Sequence, residues 1–273
     1  MSALSNDIVS AAGFGYRVVW HERAYLMRLA AIPLIIMIVM HLVVLALGIQ
    51  GQVFRQGLVL LPAFMAEGWL IAQFLRTLLL GERWPQQLPE GGIKQNLDAL
   101  ILRARGILSA IIIFVLTKMV INVFTGGVME MNDRVSEEQL AQSNDNPLMF
   151  IPALGLVFLT IWCFRYMWLY IPASILMHPV DFLKRLGGFM SSVKLLGLSL
   201  ICMVPMMLAT TMLLSVLLGA AGVEQGNIGF GVRAVMIGTM IVAELVIDCI
   251  STAAVVYLVR PLLPIKPLKD ELV

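Results

Sequence analysis

Charge is what this sequence has least of. Only 13% of its 273 residues are Asp, Glu, Lys or Arg, against about a quarter in an ordinary soluble domain. Neither sign dominates, with 19 Lys and Arg facing 17 Asp and Glu, so no basic surface for nucleic acid is expected. Cysteine is also scarce. Cys163, Cys202 and Cys249 each stand alone in an apolar run, which excludes a disulfide scaffold and a Cys/His metal ribbon and reads as buried, unpaired thiols. Enzyme motifs are missing as well. There is no G-x-x-x-x-G-K-[ST] loop and no G-x-S-x-G elbow, and "HERAY" lacks the second histidine of a zincin helix. The first 28 residues contain Asp7 and Glu22 and no compact apolar core of the signal-peptide kind, so the first span is expected to insert uncleaved.

What is abundant is hydrocarbon: 60% of the residues are hydrophobic and the mean hydropathy is +0.91. A helix needs about 20 apolar residues to cross about 30 Å of lipid. Six runs meet or approach that length, over 29–48, 57–80, 107–124, 148–176, 195–218 and 232–259. They are continuously apolar rather than alternating, which predicts helices and not barrel strands. The expected fold is therefore an all-α polytopic membrane protein with six transmembrane helices. It forms one integral membrane domain over 1–273, divided into an interfacial segment (1–28), a six-span bundle (29–259) with an outside loop at 125–147, and a tail (260–273).

Orientation follows from the basic residues. Of the 19, Lys118 and Arg165 lie within runs, Arg55, Arg134 and Arg233 fall on one side, and the remaining fourteen fall on the other. The positive-inside rule then puts both termini in the cytoplasm, as an even number of spans requires. The outside loop carries Glu130, Asp133, Glu137, Glu138 and Asp145 against Arg134 alone.

Three stretches before the odd-numbered spans have helical apolar periodicity and predict amphipathic helices at the cytoplasmic surface. In the first, Leu4, Ile8, Ala11, Ala12, Gly15, Val18 and Val19 share a face; in the second, Ile93, Leu97, Leu100 and Ile101; in the third, Phe182, Leu183, Leu186, Phe189 and Met190. With starts near residues 4, 92 and 179, they outline a threefold repeat of surface helix, outward span and return span. Ala66-Glu67 and Ala243-Glu244 occupy matching places in two return spans, and Trp162 with Arg165 falls in that region of the third. A six-span protein with short connectors would share this layout without any repeat.

The amphipathic start leading into "WHERAYLMRLAAIPLII", the basic stretches before "ILSAIIIFVL" and "LLGLSLICMV", and the closing "VVYLVRPLLP" resemble the YciC-like bacterial inner-membrane proteins. They are similar also to the membrane domain attached to some glycerophosphoryl diester phosphodiesterases. The resemblance covers nearly the whole chain in layout, and it implies six spans in the bacterial inner membrane. No phosphodiesterase domain is present, so it implies no activity.

Ionisable residues inside the runs need a physical account: Glu67, Lys118, Arg165, Glu244 and Asp248, with Arg76 nearer the cytoplasmic surface. Each costs about 2.5 to 3.5 kcal/mol at a helix centre on insertion scales, so they are expected to face one another or a wet cavity. Glu244 and Asp248 share a helix face, continued by Ser251 and Thr252. One reading makes the three carboxylates a proton, cation or headgroup path with Arg165 as countercharge; the other makes them structural ion pairs that fix helix register. Cys202, Met203, Met206 and Met207 around Pro205 could offer soft ligands to copper(I), but methionine is also a common gap-filler in apolar helices. His41 stands alone in the first span and is expected to bond a neighbouring helix. No metal or cofactor is expected. The function expected is non-enzymatic: an accessory or envelope-maintenance protein that binds membrane lipid, a membrane protein partner or a second copy of itself. The alternative is a small secondary transporter or channel using the charged cluster.

Overall fold

The computed structural model describes residues 7–49, 52–85, 93–134, 150–220 and 229–264. Every regular element among them is helical. Five helices are long and apolar enough to cross a membrane, which fits a polytopic all-α protein.

Helix α1 (Ile8–His21) starts where the Asp7 carboxylate accepts the Ser10 backbone N–H at 2.8 Å, a side-chain N-cap. The Ser10 hydroxyl also donates to Asp7. Ala11, Ala12, Gly15 and Val18 form its buried face. A Cβ on Gly15 would lie 2.6 Å from the Ile250 carbonyl oxygen, so only glycine permits this approach. The helix predicted to rest on lipid headgroups is therefore packed into the bundle, because its inner face is too small-sided to leave a gap.

Helix α2 (Arg23–Leu47) follows α1 after Glu22 alone and begins ahead of the predicted span. The second predicted span divides into α3 (Val53–Val59) and α4 (Leu61–Leu80), just before Pro62, which has no N–H to bond the carbonyl four residues back. Helix α4 is the centre of the molecule. Leu70, Ile71, Phe74 and Leu75 are wholly buried, and α2, α5 and α10 pack around it.

Helix α5 (Ile93–Arg134) runs through 42 residues. The second predicted surface helix is thus the first part of a continuous helix, since no cap or proline separates it from the apolar run and a formed helix extends at little cost. For the same reason the outside loop predicted from residue 125 begins as helix through Arg134; residues 135–149 lie outside the described residues, as do residues 1–6, 221–228 and 265–273.

The fourth predicted span is not one helix. Helix α6 (Phe150–Cys163), of 14 residues, passes into a 3-10 turn (Phe164–Trp168) and then α7 (Tyr170–Ser174). Fourteen residues extend only about 21 Å at about 1.5 Å each, and Pro172 removes a backbone donor from the segment beyond. Leu176 takes a left-handed φ of 60° at the reversal into α8 (Pro179–Leu186). This third helix is amphipathic as predicted, burying Phe182 and Leu186 while Lys184 and Arg185 stay exposed, but it stops at Gly187, so Phe189 and Met190, predicted on the same face, belong to the next helix and Met190 is exposed. Helices α9 (Phe189–Ala220) and α10 (Phe230–Val259) follow, with α10 packed against α1, α2, α4 and α9 and running into a 3-10 turn (Arg260–Leu262).

Candidate functional site

Four of the five intramembrane charges meet. Helix α4 supplies Glu67, α5 supplies Lys118, and successive turns of α10 supply Glu244 and Asp248. The Lys118 ammonium donates to Glu67 Oε1 at 2.9 Å, Glu244 Oε1 at 2.8 Å and Asp248 Oδ2 at 2.8 Å. An ammonium has three N–H donors, and each finds a carboxylate. Glu67 is 1% exposed and Glu244 is 47% exposed at the side chain. The cluster is closed toward α4 and open beside α10.

Polar and aromatic groups extend it inward. The Phe114 ring lies one turn before Lys118, 5.5 Å from its ammonium, and meets Tyr170 edge-on at 5.4 Å. The Tyr170 hydroxyl is 3.1 Å from Thr252 Oγ1, one turn beyond Asp248, so α7 is tied to the same stripe. A tyrosine in an apolar run has no sequence signal that marks this role.

Fully ionised, three carboxylates and one ammonium leave two excess negative charges. Ligand oxygens of Glu67, Glu244 and Asp248 lie within 4.8 Å of one another, a spacing open to a small cation, but the Lys118 ammonium stands among them. The chemistry available is charge pairing, proton sharing, or exchange of the ammonium for another cation.

Arg165, expected as the countercharge, is elsewhere. Its guanidinium donates to the Gly187 carbonyl at 3.1 Å and the Tyr166 hydroxyl at 3.2 Å, and lies 4.0 Å from the Trp162 ring centre. Arg165 lies in the 3-10 turn at Phe164–Trp168, and its contacts tie that turn to Gly187. Lys118 takes its place.

Arg76 belongs to a second polar junction at the other end of α4. It is held bidentately by Glu82 at 3.0 and 3.1 Å and donates to the Ser174 carbonyl at 2.7 Å. Arg103 on α5 reaches Glu82 at 3.4 Å and Gln73 at 3.3 Å. This junction joins α4, α5 and α7, and its buried Arg76 and Arg103 are both paired with Glu82, as buried charge requires. His41 bonds the Met37 carbonyl of its own helix at 2.8 Å rather than a neighbour. Cys202 and Cys249 are buried as expected, whereas Cys163 is exposed.

Comparison with protein-family models, curated proteins and solved structures finds no match. Geometry and chemistry carry the functional reading.

Proposed function

We propose that this chain is a non-enzymatic protein of the bacterial inner membrane that binds lipid or a membrane partner in an accessory or envelope-maintenance role. In this reading the broken fourth segment crosses the bilayer as a sixth span and both termini are cytoplasmic. The pairing of Lys118 with all three carboxylates carries it: each N–H of the ammonium meets a carboxylate, which ties α4, α5 and α10 together.

A second reading has one observation in its favour. Glu244 is half-exposed and three carboxylates share one ammonium, an arrangement that a small transporter or channel for protons or cations could use. Glu67→Gln and Asp248→Asn separate the two. The accessory role predicts that both variants unfold at lower temperature in detergent while proton and cation flux in proteoliposomes stays at the protein-free level. Flux above that level in the native protein, lost in both variants, would establish transport instead.

A further inference from the structure

The molecule carries a cleft that its charged cluster does not use. It encloses about 230 Å³ and lies between α2 and α10, with Leu70 of α4 also lining it. Met27, Ala30 and Leu34 line it from α2, at the helical spacing of a single face. Val242 and Val246 line it from α10. Its walls, which include Val19 of α1, are almost wholly apolar, and Arg23 borders it from the first turn of α2. Arg23 is exposed, lies 4.7 Å from the Trp20 ring centre and donates to the Trp20 carbonyl at 3.0 Å. Trp20 is 71% exposed, as expected of an indole at the edge of a membrane.

Length and charge identify the occupant. Arg23 to Leu34 is eleven helical steps, about 16 Å at about 1.5 Å each, close to the hydrocarbon depth of one leaflet, about 15 Å. At about 230 Å³ the cleft is too small for a partner helix, whose diameter with side chains is about 10 Å. We propose that it holds one acyl chain of an anionic phospholipid, with the phosphate on Arg23. A guanidinium has five N–H donors and presents a fork that suits phosphate oxygens; the carbonyl of Trp20 uses one. Arg17 and Arg28 add positive charge near this end of α1 and α2, where anionic headgroups collect. The proposal rests on the lipid-binding reading above and gives it a place and a headgroup class.

Native mass spectrometry of the purified full chain, titrated with palmitoyl-oleoyl phosphatidylglycerol or the matching phosphatidylcholine, tests it. The native protein is expected to retain one phosphatidylglycerol in preference to phosphatidylcholine. Arg23→Gln should weaken phosphatidylglycerol by roughly tenfold or more, the loss of a charged hydrogen bond, and abolish the preference. Ala31→Trp fills the cleft and should reduce both lipids, whereas Ile35→Trp, outside it, should change neither. Ala31→Leu replaces the tryptophan variant should that one not keep the lipid-free unfolding midpoint. Native-like phosphatidylglycerol retention by both cleft variants would overturn this site while leaving lipid binding intact. No retained lipid in the native protein would overturn both.

Discussion

Lys118 is a single ammonium holding three carboxylates, and removing it has a different consequence from removing any one of them. Lys118→Met leaves Glu67, Glu244 and Asp248 facing one another without a cation. Breaking a buried ion pair from one side costs about 3 to 5 kcal/mol, and the half-exposed Glu244 places the expected loss toward the lower end. Adding Glu67→Gln to Lys118→Met should recover part of that loss, because the most buried carboxylate no longer lacks a partner. A double-mutant cycle of unfolding free energies in detergent measures the coupling; strict additivity would show that the two side chains do not share one network. The ionisable residues were legible in the sequence, since charge inside an apolar run has a known cost. Their partners were not. Arg165 has the correct sign and stands in the correct run, yet its guanidinium bonds the Gly187 carbonyl and not the cluster.

At the scale of the element, α1 depends on its glycine. Gly15→Val would drive side-chain carbon into the Ile250 carbonyl, which already lies 2.6 Å from a Cβ position, so α1 must separate from α10. Overpacking of this kind costs about 1 to 3 kcal/mol. The check is faster amide exchange in residues 11–18 of the variant than in the native protein, with α4 unchanged. The start of α1 is also pH-sensitive. The Ser10 hydroxyl and backbone N–H bonded to Asp7 hold its carboxyl below the ordinary value of 3.8. A depressed folded value means that this cap contributes above pH 3.8 and is lost as pH falls through the lower value. Amide exchange at Ser10 should therefore rise below pH 3.8 relative to the intrinsic rate, and Asp7→Asn should remove most of that pH dependence. Periodicity revealed α1 and α8 as amphipathic, but it could not distinguish a helix facing lipid from one facing protein. Both burials exclude water, and the difference lies in the small residues that match α10.

For the whole molecule, parity of crossings decides orientation. Among the described residues five helices are long and apolar enough to span the membrane, and the segment from Phe150 to Ser174 is broken into α6, a 3-10 turn and α7. Should that segment cross, the termini share a side; should it turn back, they lie on opposite sides. Fusions of a fluorescent protein that matures only in the cytoplasm are expected to fluoresce at either end. Fluorescence at only one terminus would remove the sixth crossing and with it the threefold layout.

The sequence by itself determined that the protein is helical and membrane-bound, where its apolar runs lie, and which side chains are costly in lipid. Composition and helical periodicity decide these points because hydrocarbon leaves the backbone few ways to satisfy its hydrogen bonds. Only the tertiary structure decided that α4 is enclosed on nearly all sides, that one run is broken, and that Lys118 rather than Arg165 joins Glu67, Glu244 and Asp248. Those outcomes depend on which helix faces meet. The meeting of faces is set by close contacts such as Gly15 against Ile250 and Gly106 against Ser174, between residues that local sequence patterns do not connect.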